Sequence, residues 1–205
     1  MNKLFFDIET LPASTESHTI LQEIYDRRVS HAAPGKPVPP FTEYVEKSSF
    51  DGAFGRIACI SYAINDDPVQ TLSGEEKDIL TKFWEIARKV DVFVGFNIID
   101  FDMRFIFQRS VIWNVRPTKY LSFARYRSDP MFDVMYEWSK WNMQDKISLD
   151  SLAKALGFPS SKGGTIEGKD VAQAYLDGRI KEICQYCEKD VELTRKIYKK
   201  MTFEA

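Results

Sequence analysis

The feature that most constrains this chain is an alternation. Short apolar runs, rich in β-branched or aromatic residues, are separated by stretches in which apolar residues recur at helical spacing. Leu4 to Ile8 is the first run. Ile57 to Ile64 is the second, bounded by Gly55 on one side and Asn65-Asp66-Asp67-Pro68 on the other. Both are expected to be buried strands, with Val69 to Leu72 a hairpin partner for the second across that turn. Glu75 to Lys89 then places Ile79, Leu80, Phe83, Trp84 and Ala87 on one helical face, with Ser73 as candidate N-cap. Val90 to Phe96 reads as a further strand, and a helical pattern follows from about Asp102 to Trp113. The last third is helical: Ser148 to Leu156 stops at Gly157, Val171 to Leu176 at Gly178, and Ile180 to Met201 is one long amphipathic stretch. The expectation is an α/β domain whose sheet is built early and whose helices are added late.

At 205 residues the chain suits one sizeable core, so a single domain over 1–205 is expected. Residues 13–55 break the rhythm. They hold a helical patch around Ile20 to Val29, and then Ala33 to Pro40, where four prolines preclude regular structure. We read the segment as an insertion, either a binding loop or a surface excursion. Nothing approaches eighteen consecutive apolar residues, and the first residues lack a signal-peptide core, so a cytoplasmic protein without membrane association is expected. Cys59, Cys184 and Cys187 show neither disulfide-like nor four-ligand zinc spacing, and are expected to be reduced and structural.

A net charge of -2 argues against coating duplex nucleic acid by bulk electrostatics. The charge is uneven, however. From Met103 to Ser128 there are Arg104, Arg109, Arg116, Lys119, Arg125 and Arg127 and no acid. This is either a solvated basic surface or a phosphate-contacting stripe.

Three patterns could carry chemistry. Asp7 and Glu9, two apart at the end of the first strand, share a face. Asp102 follows Gly95-Phe96-Asn97 and Phe101 at a strand-to-helix junction, where capping alone would account for an acid. Tyr186 and Asp190, four apart, share a face of the last helix. Chance supplies each of these singly in a chain with thirty acidic residues. Their ordered conjunction is the informative signal.

At these residues the sequence resembles the DEDD exonucleases of the tyrosine subclass, most closely the proofreading exonuclease domain of family-B DNA polymerases. Asp7-Ile8-Glu9-Thr10 looks like their first motif, Val94-Gly95-Phe96-Asn97 through Phe101-Asp102 their second, and Tyr186-Cys187-Glu188-Lys189-Asp190 their third. Asp133 and the Ser148 to Gly157 helix match more loosely, and the 13–55 segment departs from the pattern. The resemblance implies a ribonuclease-H-like three-layer fold, with a mixed central sheet flanked by helices. It also implies 3′–5′ hydrolysis of single-stranded nucleic acid with two divalent ions, Mg2+ or Mn2+, as cofactors.

In that arrangement Asp7 bridges the ions, Glu9 and Asp190 complete the water-activating site, and Asp102 supports the second ion. Tyr186 orients the attacking water. Such hydrolysis needs a strengthened nucleophile and neutralisation of the leaving oxygen, for which clustered hard oxygen ligands are suited. Substrate contacts are expected from Thr10, Asn97, Phe101 and Arg104, although the Asn97 side chain could instead bond backbone. The partners implied are single-stranded DNA or RNA 3′ ends and a polymerase or repair protein. An exoribonuclease and a noncatalytic nucleic-acid-binding module are the alternatives.

Overall fold

The computed structural model describes residues 1–204 apart from positions 34, 36, 143, 145, 161, 162 and 164. In chain order the strands are β1 (Lys3–Leu11), β2 (Arg56–Ile64), β3 (Gln70–Ser73), β4 (Val92–Gly95) and β5 (Met131–Asp133). The helices are α1 (His18–Ser30), α2 (Phe41–Lys47), α3 (Glu76–Ala87), α4 (Asp102–Ile112), α5 (Val134–Ser139), α6 (Leu149–Ala155), α7 (Val171–Leu176) and α8 (Ile180–Met201). The strands form one sheet in the order β3-β2-β1-β4-β5. β1, β2 and β3 run antiparallel as a meander, while β4 and β5 lie parallel to β1.

Because β1 is central, its two faces sort its side chains between two layers. Leu4, Phe6 and Ile8 pack with Phe83 and Trp84 of α3 and Met103 and Ile106 of α4. Phe5 packs against Val191 and Ile197 of α8, and Leu11 against Ile183 of the same helix. Each fully buried aromatic or aliphatic side chain of this kind contributes roughly 1.5–3 kcal/mol. Asp7 and Glu9 have the same parity as Phe5 and Leu11. The strand therefore delivers both carboxylates to the layer occupied by α8.

The sequence-based boundaries need four corrections. Ser73 ends β3 rather than capping α3, and the turn between them is made by Gly74 at φ +117°, a conformation that costs glycine nothing. The sheet is not complete early, since β5 pairs with the far edge of β4. The 13–55 segment contains α2 and two 3₁₀ turns, Thr15–Ser17 and Ser48–Phe50, besides the expected helix α1. Arg109 does not belong to the basic surface. It is buried, and its guanidinium meets Glu76 through Nε at 2.9 Å and Nη2 at 2.8 Å. Glu76 also accepts from Ile57 N at 2.8 Å and Trp113 Nε1 at 2.6 Å, so the pair is fully bonded and ties α4 to α3 and β2. Among the described residues, no helix is long and apolar enough to cross a membrane.

Candidate active site

The segment linking β4 to α4 is held by one buried acid. Asp133, at the end of β5, accepts from Asn97 N and Ile99 N, both at 3.0 Å, and from Met135 N and Tyr136 N at the start of α5. Burial pushes its carboxyl up to about 6, against the pull of these four N–H groups. Gly95 is required at the strand's end, because a Cβ there would lie 2.2 Å from Ile98 Cγ2. Asn97 adopts φ +63°, which Asn tolerates better than most residues. Removing the clamp leaves buried N–H groups without partners. Asp133→Ala is therefore expected to lower stability by about 3 kcal/mol or more, read as the shift in urea-unfolding free energy.

This loop sets Asp102 as the first residue of α4 with its side chain turned inward and buried. Asp102 Oδ1 accepts from Ile8 N at 3.1 Å, so its carboxylate sits over the β1 backbone between Asp7 and Glu9. From the other side α8 presents Tyr186, Cys187 and Asp190. Cys187 Sγ lies 3.4 Å from the Asp7 carbonyl oxygen and 3.5 Å from Asp7 Oδ2. One ligand atom from each of Asp7, Glu9 and Cys187 falls within 4.8 Å of the others. Asp7, Glu9, Asp102 and Asp190 all line an open cleft of ≈ 300 Å³, with Asn97 and Phe101 forming part of its wall.

The electrostatics are those of crowded, poorly solvated acids. Loss of water raises Asp7 and Glu9 well above the ordinary carboxylate range. The neighbouring Cys187, Asp102 and Asp190 add to both shifts, and Glu9 adds to that of Asp7. Asp102 is pushed up to about 7 by burial, against backbone N–H groups that favour its charged form. The Tyr186 hydroxyl is also held above its usual value, first by burial and then by Asp190, Glu9 and Asp7, and it is hydrogen-bonded to Asp190. At neutral pH this phenol stays protonated. A set of oxygen donors that mutually resists ionisation fits hard divalent cations, which favour the charged form of every member at once.

The remaining sequence candidates are placed as follows. The Thr10 hydroxyl donates to Ser49 O at 2.7 Å, tying the Ser48–Phe50 turn of the 13–55 segment to β1. Asn97 Oδ1 is buried without a hydrogen-bond partner, so the alternative, a side-chain bond to backbone, is not made by that atom. Phe101 is half-buried and lies 6.1 Å, ring centre to ring centre, from Phe50, whose ring is 74% exposed. Arg104 donates through Nε to Ile99 O at 3.0 Å and lies over the Phe123 ring. Asp100, two residues before Asp102, accepts from the Tyr136 hydroxyl and meets Lys146 Nζ at 3.6 Å.

Sequence reasoning missed Phe50, Lys146 and Cys187 as neighbours of the cleft. Lys146 stands in a stretch with no readable motif, and Phe50 in a segment set aside as an insertion. Cys187 alone had a signal, since three positions along a helix separate it from Asp190.

Comparison with known proteins adds two findings. A family described as "predicted 3′-5′ exonuclease related to the exonuclease domain of PolB" matches residues 52–204. The chain is also similar to the structure of the family B DNA polymerase from the hyperthermophilic archaeon Pyrobaculum calidifontis, with a TM-score of 0.68 and 17% identity. That match covers 98% of this chain and 24% of the polymerase, so the likeness is one of fold over about a quarter of the larger protein. The fold is thus the ribonuclease-H-like one of a polymerase exonuclease domain. No curated protein matches the sequence.

Proposed function

Because the chain belongs to this family of predicted 3′–5′ exonucleases related to the PolB exonuclease domain, we propose that it removes nucleotides from the 3′ end of single-stranded nucleic acid by metal-dependent hydrolysis. The observation that carries the reading is the convergence of Asp7, Glu9, Asp102 and Asp190 in one open cleft. DNA is the favoured substrate, because the structurally similar protein is a DNA polymerase. Residues 1–205 are taken as one exonuclease unit, in which the 13–55 segment flanks the cleft through Phe50.

In this reading the four acids, Asp7, Glu9, Asp102 and Asp190, would hold two divalent ions, Mg2+ or Mn2+. When bound, such ions supply an activated water and neutralise charge on the leaving 3′ oxygen. The chain's own groups do the positioning. The protonated Tyr186 hydroxyl, anchored on Asp190, has a lone pair left to accept from the attacking water and hold it in line. Phe101 and the exposed Phe50 offer an aromatic wall for the terminal base, and the unpartnered Asn97 Oδ1 an acceptor on the same side. Along the flank of α4, Phe107, Arg116, Lys119, Tyr120 and Phe123 line a groove of ≈ 590 Å³. Its pairing of cations with aromatic rings suits the backbone and bases of an incoming strand.

The test uses single strands of DNA and RNA, labelled at the 5′ or the 3′ end, with Mg2+, Mn2+ or excess EDTA. The expected result is a descending ladder from the 5′ label and released mononucleotide from the 3′ label, with DNA consumed faster than RNA and nothing consumed in EDTA. Degradation that survives chelation would refute the metal mechanism, and faster loss of RNA would make the enzyme an exoribonuclease.

Tyr186→Phe keeps the ring's packing and removes the hydroxyl. Turnover should fall by roughly 10- to 1000-fold, with the Mn2+ concentration for half-maximal activity nearly unchanged. Unaltered turnover would leave Tyr186 a packing residue.

A further inference from the structure

Behind the carboxylates, a thiol from β2 and two from α8 gather in one cluster. Cys59 stands on β2 opposite Glu9 of β1. α8 packs against these strands and brings Cys184 and Cys187, three residues apart, to its inner face. Cys59 and Cys187 are buried, Cys184 is half-buried, and all three are free thiols. Cys59 and Cys187 belong to one buried cluster, and Cys184 packs against it. Apolar packing alone would not call for three adjacent sulfurs with one of them open to solvent.

We infer that Cys184 and Cys59 form an oxidation-responsive pair that closes into a disulfide between α8 and β2. Cys184 leads because it is the thiol that solvent reaches. Hydrogen bonds from Cys59 and Ser73 to its sulfur stabilise the thiolate against burial and bring it down to about 7. Cys59 resolves because Cys184 packs against the cluster that contains it. The alternative pairing, Cys184 with Cys187, is poorly shaped for a bond. Positions three apart on a regular helix hold their Cβ atoms about 5–6 Å apart, where a disulfide needs about 3.5–4.5 Å.

With hydrogen peroxide as oxidant the step balances. The Cys184 thiolate attacks one peroxide oxygen, the O–O bond breaks, and the departing hydroxide takes a proton to become water, leaving a sulfenic acid. The Cys59 sulfur then displaces that hydroxyl as a second water, its own proton going to the leaving oxygen. Two thiols and one peroxide give one disulfide and two waters. The bond fastens α8 to β2 two residues before Tyr186, and its formation depends on neither metal nor substrate. The inference therefore stands apart from the nuclease reading.

The experiment exposes the intact protein to hydrogen peroxide without metal and reads mass and a proteolytic digest. The parent and Cys187→Ser proteins are expected to lose two hydrogens, and the Cys187→Ser digest to show a reducible link between the peptides bearing Cys59 and Cys184. Cys59→Ala and Cys184→Ser should show no such loss. If the buried Cys59→Ala variant fails to fold, Cys184→Ser, at a half-exposed position, still provides the control. Loss of two hydrogens in Cys59→Ala, or oxygen added to Cys184 of Cys187→Ser without a cross-link, would overturn the assignment.

Discussion

Asp7→Ala is expected to abolish cleavage, by more than about 1000-fold, while making the metal-free protein more stable at pH 8 than its parent. Both effects follow from the position. Asp7 is on the central strand, faces α8, and touches Cys187, while its carboxyl feels Glu9 and its charge is felt by Tyr186. Under the proposed function Asp7 would be one of the metal ligands, and alanine offers no oxygen in its place.

The stability effect has a definite sign. Burial and neighbouring acids raise Asp7 well above its unfolded value, so the folded metal-free state holds a proton that the unfolded state has released. Between the two values the unfolded state binds fewer protons, and the stability of the parent falls as pH rises. The advantage of Asp7→Ala should thus be small near pH 4 and grow towards pH 8, as read by Tm in EDTA. Added Mn2+ should reverse the order, because only the parent retains the full ligand set. An Asp7→Ala protein with normal turnover, or one whose Tm advantage shrinks as pH rises, would show that the carboxylate is not part of this cluster.

The parts of the molecule legible in the sequence were those where a local period meets a local stop. α8 spans Ile180–Met201 as its amphipathic pattern predicts, and α7 ends before Gly178, which takes φ +75°. The first two strands were legible for a similar reason, as apolar runs bounded by polar or turn residues. What was not legible depends on tertiary partners. β5 has three residues, and its pairing with β4 reflects the four hydrogen bonds Asp133 accepts rather than any β propensity of Met-Phe-Asp. The fate of Arg109 depended on the glutamate that opens another helix, which no spacing rule connects to it. The thiol cluster was hidden for the same reason, since only sheet register sets Cys59 against the helix bearing the other two cysteines. In the candidate site, parity on β1 and spacing on α8 could be read directly, whereas the inward turn of Asp102 needed the Asp133 clamp to be seen.

That inward turn separates two acids that stand two residues apart. Asp102 is buried against the β1 backbone, where its Oδ1 accepts the Ile8 N–H. Asp100 points away, taking the Tyr136 hydroxyl and a 3.6 Å contact with the exposed Lys146. Asn is nearly isosteric at either position. At 102 its carbonyl oxygen can still accept from Ile8, so the junction survives, but a charged ligand becomes a neutral amide, and the rate should fall by several orders of magnitude. At 100 the amide oxygen still accepts from Tyr136, and what is lost is a partly exposed ion pair worth under about 1 kcal/mol. Asp100→Asn should accordingly stay within a few-fold of the parent in Mg2+ or Mn2+. Both variants should unfold within about 1 kcal/mol of each other once metal is removed, so a rate difference cannot be ascribed to misfolding. If the rates came out reversed, the second motif would be displaced by two residues, and Asp100 with its Lys146 neighbour would have to be the group that enters the metal site.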